Sequence, residues 1–433
     1  MVENIFVAGL DSLHLAQLQS LKKAERYHFH SLISYEEIKC GKTFPVRSFV
    51  SRACQTLEEF AGSVDGVIGF WDFPVSTVLP YIRQQAGLAG PSLTSVLKCE
   101  HKYWSRLMQA EVVPELIPAF RVVNPFASDA VERCDLPFPF WLKPVKSVLS
   151  HLGFLVRDRI EFASCLETIR EHIGRYARPF NYILGLADLP DEIRSVDGFH
   201  CIAESLISSG YQCTLEGYVL GGEVVIYGVI DSIREGGENC SSFARYQYPS
   251  ALPAAVQGRM AAAAAKVLVR AGYDDAPFNI EFYWNRASDT IALLEVNTRI
   301  SKSHCPLFKM VDGEYHHDVL IDVALGRQPR FPYRQGEYGV AAKFMLRRFQ
   351  DGIVRRIPDL DAIERLKRTF PACEVTIKVR SGMRLSDLRD QDSYSFEIGE
   401  LYLGADTGEE LLARYRQALI MLPFAIEQIE AAA

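Results

Sequence analysis

The amino-acid sequence predicts a multidomain protein that combines the α/β and α+β fold classes. Its 433 residues are too many for one ordinary hydrophobic core, so two or three packed units are expected. Strands alternate with helices near the N-terminus, whereas later strands are joined by short turns. We therefore expect an N-terminal parallel α/β domain at residues 1–92, a central domain at 93–328 and a C-terminal mixed β domain at 329–433.

The N-terminal domain is predicted from two units in which a strand precedes a helix. A short apolar run at residues 5–9 is followed by helical periodicity at 11–21, and a second buried strand is expected at 64–70. Strands that alternate with helices in this way form a parallel sheet with helices on its faces. The dipeptide Gly90-Pro91 then breaks the chain and marks the first domain boundary.

The remaining elements are predicted from periodicity, helix propensity and turn residues. The alanine-rich segment 254–271 strongly favours a helix, and a polar turn at 285–290 joins two apolar strands into a hairpin. Residues 231–245 are predicted to form a long polar loop. Other expected elements are helices at 95–109, 159–173 and 411–422, strands at 138–156, 203–233, 339–347 and 374–379, and turns at Gly221-Gly222 and Gly352.

Composition excludes several functional classes. The formal net charge of −7 argues against nucleic-acid binding and against a basic membrane-surface role. No apolar stretch reaches the roughly 18 residues of a membrane span, and the first residues lack the features of a secretory signal. The ten cysteines contain no Cys-x-x-Cys pair, which argues against a zinc ribbon or a dithiol centre. We therefore expect a cytoplasmic protein without nucleic-acid or membrane partners.

The most informative segment is residues 278–304, which begins with the predicted hairpin of strands 278–283 and 291–296. Glu281 and Glu295 each lie inside an apolar strand, where a carboxylate needs a cation or a hydrogen-bonding partner. Asn297 and Arg299 follow Glu295 at intervals of two, which places them on the same strand face. Two carboxylates and a carboxamide oxygen suit Mg²⁺, and the arginine suits a transferring phosphoryl group. The alternative is a pair of edge-strand glutamates neutralised by Arg299 and a lysine.

These residues resemble the metal-binding core of the ATP-grasp superfamily. The resemblance implies an ATP-grasp fold with a pre-ATP-grasp N-terminal domain and a nucleotide-binding central domain. It further implies that ATP and Mg²⁺ are required, with Mn²⁺ as an alternative metal. By this resemblance Glu281, Glu295 and Asn297 are the metal ligands and Arg299 is catalytic.

The resemblance extends to residues expected to contact the nucleotide. Lys102 and Lys143 match the two nucleotide-contacting lysines of the family. The alternative is that they are ordinary solvent-exposed lysines, which is the commoner situation for this residue type. Residues 146–153 occupy the place of the loop that covers the phosphates, with a plain surface turn as the alternative. They lack its usual glycines, and Gly153 is the candidate for a positive φ. The remaining nucleotide-contacting candidates are Ser147 and Ser150 in that loop, and Glu204, Ile207, Gln212 and Glu216 in the strands behind the nucleotide.

The chain most resembles the biotin carboxylase-like branch, whose C-terminal domain is matched by residues 339–358. Biotin carboxylases carry a glutamate base toward bicarbonate where this chain has Ser303, and a serine cannot serve as that base. The segment that ends in Ser303 and His304 is more similar to carboxylate–amine ligases. His304 would orient or deprotonate the amine, and Arg245 would hold the substrate carboxylate. A packed histidine and a solvated arginine are the alternatives.

The function implied is that of a ligase that phosphorylates a carboxylate and couples it to an amine, with release of ADP and phosphate. The alternatives are a non-catalytic ATP-binding regulatory subunit and a bicarbonate-using carboxylase. The expected partners are a small carboxylate, a small amine and, by analogy with the branch, a second copy of the chain. The sequence identifies neither small molecule, because fold alone does not specify substrate.

Overall fold

The computed structural model describes residues 2–39, 43–148, 151–207, 210–235, 242–388, 391 and 394–429. Within these ranges the chain forms a small parallel sheet, a four-stranded antiparallel sheet and a large eight-stranded antiparallel sheet, as well as a two-stranded ribbon. This mixed α/β architecture confirms the predicted fold class. No helix in the described ranges is long and apolar enough to cross a membrane.

The N-terminal residues form a three-stranded parallel sheet in the order β2-β1-β3, as predicted. Its elements are β1 (Glu3–Leu10), α1 (Ser12–Gln19), β2 (Tyr27–Ser34), α2 (Tyr35–Lys39), α3 (Val46–Glu58), β3 (Gly66–Gly69) and α4 (Val75–Gln85). The sheet is buried under these helices, and β3 is buried along its whole length. Because ligands bind at the carboxyl ends of parallel strands, the residues that follow β3 are placed to meet a ligand.

The predicted helix at 95–109 is broken into two helices, α5 (Leu93–Glu100) and α6 (Lys102–Val112). His101 has extended backbone dihedrals between them, and its Nδ1 caps α6 by accepting from the Trp104 amide. Its Nε2 is 2.8 Å from the Val196 carbonyl. The break brings the side chains of Glu100 and Lys102 into the same cleft.

The small antiparallel sheet has the order β4-β7-β5-β6. Its strands are β4 (Phe120–Val123), β5 (Phe140–Pro144), β6 (Phe154–Val156) and β7 (Cys201–Ser205). Four helices lie between these strands in sequence, α7 (Ala130–Arg133), α8 (Arg159–His172), α9 (Gly174–Leu184) and α10 (Asp191–Arg194). The strand pair at 138–156 and the helix at 159–173 are thereby confirmed.

The large antiparallel sheet has the order β12-β11-β8-β9-β10-β13-β16-β15. Its central-domain elements are β8 (Tyr211–Leu220), β9 (Glu223–Glu235), β10 (Ser242–Tyr248), α11 (Ala254–Ala271), β11 (Ala276–Asn285), β12 (Thr290–Asn297), α12 (Cys305–Asp312) and α13 (His317–Ala324). The elements beyond residue 328 are β13 (Val340–Arg348), β14 (Gly352–Arg356), α14 (Leu360–Thr369), β15 (Glu374–Ile377), β16 (Phe396–Ala405), α15 (Gly408–Met421) and β17 (Ala425–Gln428). The sheet therefore continues across residue 328, where the sequence predicted a domain boundary.

Two local predictions in this region are wrong. Residues 231–235 and 242–245 belong to β9 and β10, which pair with each other and are not a polar loop. Gly352 begins β14, which pairs with β17, and helix α14 follows before β15. In β9 and β10, polar side chains lie on half-buried strands, where alternate residues reach solvent or a cavity, so polarity alone does not indicate a loop. Gly352 allows a close approach of the partner strand, since a Cβ there would lie 2.6 Å from the Glu427 carbonyl oxygen.

Candidate active site

A cavity of about 330 Å³ lies between the small sheet and the large sheet. Side chains from both sheets line it, together with Asp72, which follows β3, and Glu100, which ends α5. Ten of the predicted site residues line this cavity: Lys102, Lys143, Ser147, Glu204, Ile207, Glu281, Glu295, Asn297, Arg299 and His304. A volume of this size falls within the range typical of small-molecule sites.

The acidic pair is built by the register of the hairpin. In the antiparallel pairing of β11 with β12, Glu281 is directly opposite Glu295, and Asn279 is opposite Asn297. Cross-strand partners share a face of the sheet, so four oxygen-bearing side chains point into the cavity together. Asn297 Nδ2 donates to Asn279 Oδ1 at 2.9 Å. Burial and then the charge of Glu295 raise the pKa of Glu281, as expected for two carboxylates that share a site.

A buried ion network joins the N-terminal sheet to the hairpin. Arg299 Nη2 donates to Asp72 Oδ2 at 2.7 Å, and Lys146 Nζ lies 2.7 Å from Glu100 Oε2 and 3.9 Å from Asp72 Oδ1. Glu100 also accepts from the Thr298 hydroxyl. Burial opposes ionisation of Asp72, but the charges of Arg299 and Lys146 outweigh it and lower its pKa. Arg299 is therefore held charged at the cavity wall.

The two predicted nucleotide-contacting lysines are both paired with glutamates of the cavity. Lys102 Nζ is 2.7 Å from Glu295 Oε1, and Lys143 Nζ is 2.6 Å from Glu204 Oε2. Arg106, which is buried, holds the other oxygen of Glu204 at 2.6 Å. Burial raises the pKa of Glu204, but the charges of Arg106 and Lys143 outweigh burial and lower it to about 2. Glu295 thus has the lysine partner that the alternative interpretation of the hairpin required.

The predicted phosphate-covering loop is described only in part. Ser147 is buried, lines the cavity and accepts from Lys102 Nζ through its carbonyl oxygen at 3.3 Å. Ser150 lies outside the described residues. Gly153 lines the cavity, but the positive φ in this segment belongs to Leu152, at 57°. The glycine was therefore assigned the wrong conformational role.

Gln212 supports the acidic pair. Its Nε2 donates to Glu281 Oε2 at 2.8 Å, and its Oε1 accepts from Arg234 Nε at 2.7 Å. Arg234 lines the cavity and stacks over the Phe243 ring at 3.9 Å. Gln212 itself is buried beside the cavity, where its side chain contacts Glu281.

Glu216 and His304 form a second buried pair. His304 Nδ1 is 2.7 Å from Glu216 Oε1, which also accepts from the Ser301 amide at 3.1 Å. Burial and the charges of Lys343 and Arg299 lower the pKa of His304 to about 3, so it is neutral near pH 7. Glu216 does not line the cavity, and its predicted nucleotide contact is replaced by the contact with His304.

Ser303 and Arg245 are not brought to the cavity wall. The Ser303 hydroxyl accepts from Lys343 Nζ at 3.0 Å. Arg245 is paired with Phe344 across β10 and β13, and its guanidinium lies 5.8 Å from the centre of that ring. The Phe344 ring stacks on Tyr415 of α15, so Arg245 lies on the helix-covered face of the sheet. This placement contradicts the predicted position of Arg245 at the substrate, because its neighbour Tyr246 is the residue that faces the cavity.

Several cavity residues were missed by the sequence interpretation: Asp72, Glu100, Lys146, Arg234 and Asn279. Asn279 precedes Glu281 by two residues, so the strand period could have identified it. Asp72 follows a buried strand of a parallel sheet, which is a common position for ligand-binding residues. Lys146 begins the segment predicted to cover the phosphates but was not named as a ligand. Glu100 and Arg234 have no local sequence feature that separates them from ordinary surface residues.

The cavity combines cationic and acidic groups in equal number. The Lys, Arg, Asp and Glu side chains of its lining are Lys102, Lys143, Lys146, Arg234 and Arg299 with Asp72, Glu100, Glu204, Glu281 and Glu295. No group of three His, Cys, Asp or Glu side chains suited to a metal occurs within the described ranges. The paired glutamates with Asn297 nevertheless fit a Mg²⁺ ion that takes its other ligands from phosphates, because Mg²⁺ commonly binds through one or two carboxylates.

Comparison with known proteins identifies similar sequences and folds. Residues 248–328, which contain the hairpin, match the family model of the carbamoyl-phosphate synthase L chain, ATP binding domain. The L-amino acid ligase from Bacillus licheniformis is 16% identical with a TM-score of 0.69, and the match covers 98% of this chain and 99% of that chain. No curated protein matches the chain by sequence.

Two further solved structures share the architecture over nearly the whole chain. Carboxyaminoimidazole ribonucleotide synthase from Aspergillus clavatus, complexed with ATP, is 14% identical with a TM-score of 0.65, and the match covers 97% of this chain and 98% of that chain. The biotin carboxylase domain dimer of Hydrogenobacter thermophilus 2-oxoglutarate carboxylase, with MgADP, ADP and bicarbonate, is 13% identical with a TM-score of 0.64, and the match covers 99% of this chain and 92% of that chain. At these identities the similarity establishes the fold.

Proposed function

Since the chain has the ATP-grasp fold, we propose that it is an ATP- and Mg²⁺-dependent ligase that activates a carboxylate as an acyl phosphate and couples it to an amine. The observation that carries the proposal is the opposed pair Glu281 and Glu295, which faces the charged Arg299 and two lysines across one cavity. The proposal is supported by the fold of the L-amino acid ligase.

The proposed nucleotide site follows from the cations of the cavity. Lys102, Lys143 and Lys146 would bind the phosphates, since an ammonium is a compact charge with three donors. Glu281, Glu295 and Asn297 would hold Mg²⁺, which neutralises phosphate charge when bound. Because Lys102 is paired with Glu295, it would move from the glutamate toward the phosphates as the metal and nucleotide enter.

The first chemical step is phosphorylation of the carboxylate. An oxygen of the carboxylate attacks the γ-phosphorus of ATP, the bond from that phosphorus to the bridging oxygen breaks, and ADP leaves. Arg299 would bind the transferring phosphoryl group, since Asp72 holds one of its nitrogens and keeps it charged. The network formed by Asp72, Glu100 and Lys146 fixes this arginine before the substrates arrive.

The second step forms the amide. The amine attacks the acyl carbon, phosphate leaves, and the nitrogen loses a proton. His304 lines the cavity and is neutral near pH 7, so it would orient the amine nitrogen or accept its proton. Closure of the cavity would exclude water, which otherwise hydrolyses an acyl phosphate.

A bicarbonate-using carboxylase is the second candidate, because the Hydrogenobacter domain of similar fold is complexed with bicarbonate. Bicarbonate activation needs a base beside that ion. Ser303, which matches the position of the glutamate base, is a serine that is hydrogen-bonded to Lys343. The carboxylate–amine reaction has no such need in its first step, since an organic carboxylate with a pKa of about 4 is already ionised at pH 7.

A non-catalytic regulatory subunit is the third candidate. Such a protein would have no reason to retain both glutamates, Asn297 and Arg299 around one cavity. The test is a screen for ADP release with MgATP and pairs of carboxylates and amines, with products identified by mass spectrometry. ADP release that needs both partners supports the ligase. Tight ATP binding with no ADP release for any pair would favour the regulatory subunit.

The expected partners of the ligase are a small carboxylate and a small amine, and the expected assembly is a homodimer. The dimer is proposed from the Hydrogenobacter domain, which is described as a dimer. Light scattering of the purified chain tests it, with about twice the chain mass of 48.7 kDa as the expected result. A single-chain mass would contradict the dimer without affecting the proposed reaction.

A further inference from the structure

His304 presents only one ring nitrogen to the cavity. Its side chain lines the cavity although the residue is only 2% exposed. Nδ1 is bound to Glu216, whereas Nε2 has no hydrogen-bond partner among the residues that the structure describes. The Tyr246 ring meets the imidazole edge to face with the ring centres 5.1 Å apart, which fixes the plane of the ring.

Glu216 is placed to decide which nitrogen carries the proton. The residue is fully buried, and its Oε1 lies 2.7 Å from His304 Nδ1 while accepting from the Ser301 amide. Oε2 has no hydrogen-bond partner in the part of the chain that is described. Burial raises the pKa of Glu216, but Oε1 accepts from the Ser301 N–H, and an oxygen of this kind can accept from a second donor. The geometry therefore favours the tautomer of His304 with its proton on Nδ1.

The surroundings of Ser301 hold this arrangement in place. His316 Nε2 is 3.1 Å from the Ser301 carbonyl oxygen, and His316 Nδ1 is 3.1 Å from the Tyr227 hydroxyl. The Ser301 peptide is thus held on both sides, by Glu216 at its N–H and by His316 at its carbonyl. The polar side chains between α13 and the large sheet therefore form one connected support beneath His304.

We propose that Glu216 is a positioning residue for amide formation, which holds His304 with the Nε2 lone pair toward the incoming amine. The proposal rests on the proposed function, since it needs an amine acceptor. As the C–N bond forms, the amine nitrogen becomes acidic and its proton passes to Nε2. The acyl C–O bond to phosphate then breaks, and phosphate leaves with the electron pair. Glu216 touches neither substrate and acts through the tautomer of His304.

The test compares two nucleophiles in one reaction. The full chain is incubated with MgATP, the twenty amino acids as combined carboxylates and amines, and hydroxylamine. Hydroxylamine is a strong nucleophile that is largely unprotonated at neutral pH and traps acyl phosphates without help from a base, whereas the substrate amine needs a group that takes its proton as the C–N bond forms. The readout is the ratio of peptide to hydroxamate, measured by mass spectrometry. This ratio reports the amine step alone, because both products require the same acyl phosphate.

Four variants are compared with the wild type. His304→Ala and Glu216→Leu should each lower the ratio on the order of 100-fold while hydroxamate formation persists. Glu216→Gln keeps an acceptor oxygen and should hold the ratio within about threefold of wild type. The double variant Glu216→Leu with His304→Ala should fall no further than His304→Ala, because the two residues act as one unit.

A wild-type ratio in both His304→Ala and Glu216→Leu, or an equally large fall in Glu216→Gln, would overturn the proposal. If Glu216→Leu makes neither product, its circular dichroism spectrum shows whether the fold is lost. Where the fold is lost, the ratios of His304→Ala and Glu216→Gln test the proposal, and a folded variant that makes neither product would contradict it. A wild type that forms neither hydroxamate nor peptide would contradict the proposed function for amino-acid carboxylates, together with this inference. If only the inference is wrong, His304→Ala and Glu216→Leu will form both products at the wild-type ratio of peptide to hydroxamate.

Discussion

Replacement of Lys143 by methionine should weaken ATP much more than adenosine. Lys143 Nζ lies 2.6 Å from Glu204 at the cavity wall, and the variant keeps the aliphatic stem while it removes the charge. Glu204 retains Arg106 at 2.6 Å, so the substitution leaves no buried carboxylate without a cation. The fold should therefore survive, and the change in binding should report the phosphate interaction.

The size of the loss in ATP affinity follows from the charges that remain in the cavity. The ionisable lining is balanced between cations and acids, so loss of Lys143 leaves an excess negative charge facing the phosphates. A unit charge at about 4 Å from phosphate is worth about 4 kcal/mol at an effective dielectric constant of about 20. The interaction energy with phosphate is smaller than this Coulomb value, because the ammonium is shared with Glu204. Hydrogen bonds to charged groups are typically worth about 1.5–3 kcal/mol. A loss of about 2–3 kcal/mol raises the Kd about 30- to 150-fold.

Isothermal titration calorimetry with a non-hydrolysable ATP analogue, Mg²⁺ and adenosine measures the effect. Lys266→Met is the matched control, because Lys266 is exposed on α11 and does not line the cavity. Adenosine should bind Lys143→Met within about threefold of wild type, since it lacks phosphates. Equal weakening of both ligands, or an unchanged affinity for the ATP analogue, would refute the assignment of Lys143 to the phosphates.

Three further predictions address the metal, the ion network and the pH dependence of stability. Glu295→Gln should lower ADP release at least about 100-fold with an unchanged circular dichroism spectrum, and wild-type-like release would disprove the metal assignment. Lys146→Met leaves Glu100 buried without its cation and should destabilise the fold by about 3–5 kcal/mol in urea unfolding, whereas a change as small as that of Lys266→Met would show the network to be unimportant. The low pKa of Glu204, about 2, means that its ion pairs stabilise the fold above the unfolded pKa of about 4.3 and that this stability is lost as pH falls toward 2. Glu204→Gln should therefore show a flatter loss of stability over that acid range, and identical acid unfolding of variant and wild type would contradict the ion-pair assignment.

The hairpin could be predicted from sequence because its determinants are local. Strand period, apolar runs and a polar turn fix both the pairing and the shared face of Glu281 and Glu295. The same local rules identify helix α11 at its observed bounds of Ala254–Ala271. Such features need no knowledge of the rest of the chain, and the structure confirms them.

The partners of the hairpin could not be predicted, because tertiary packing selects them. Arg299 meets Asp72 across 227 residues of sequence, and Lys102 meets Glu295 across 193. No periodicity relates residues so far apart. For Arg245 a prediction was made and was wrong. The polar residues around it indicated a loop, whereas strand pairing turns its side chain to the helix-covered face of the sheet. One residue of register separates that face from the cavity.

The most direct test of the proposed reaction is ADP release under bicarbonate-free conditions. MgATP, a mixture of amino acids and hydroxylamine are supplied, and ADP and hydroxamate are measured with and without added bicarbonate. The ligase account predicts that ADP release depends on the organic carboxylate, that hydroxamate accumulates with ADP, and that bicarbonate changes neither. The assignment of Ser303, which has a hydroxyl where a carboxylase has its base, leads to the same expectation. Strong stimulation of ADP release by bicarbonate, with no organic carboxylate present, would contradict the ligase account and favour a carboxylase.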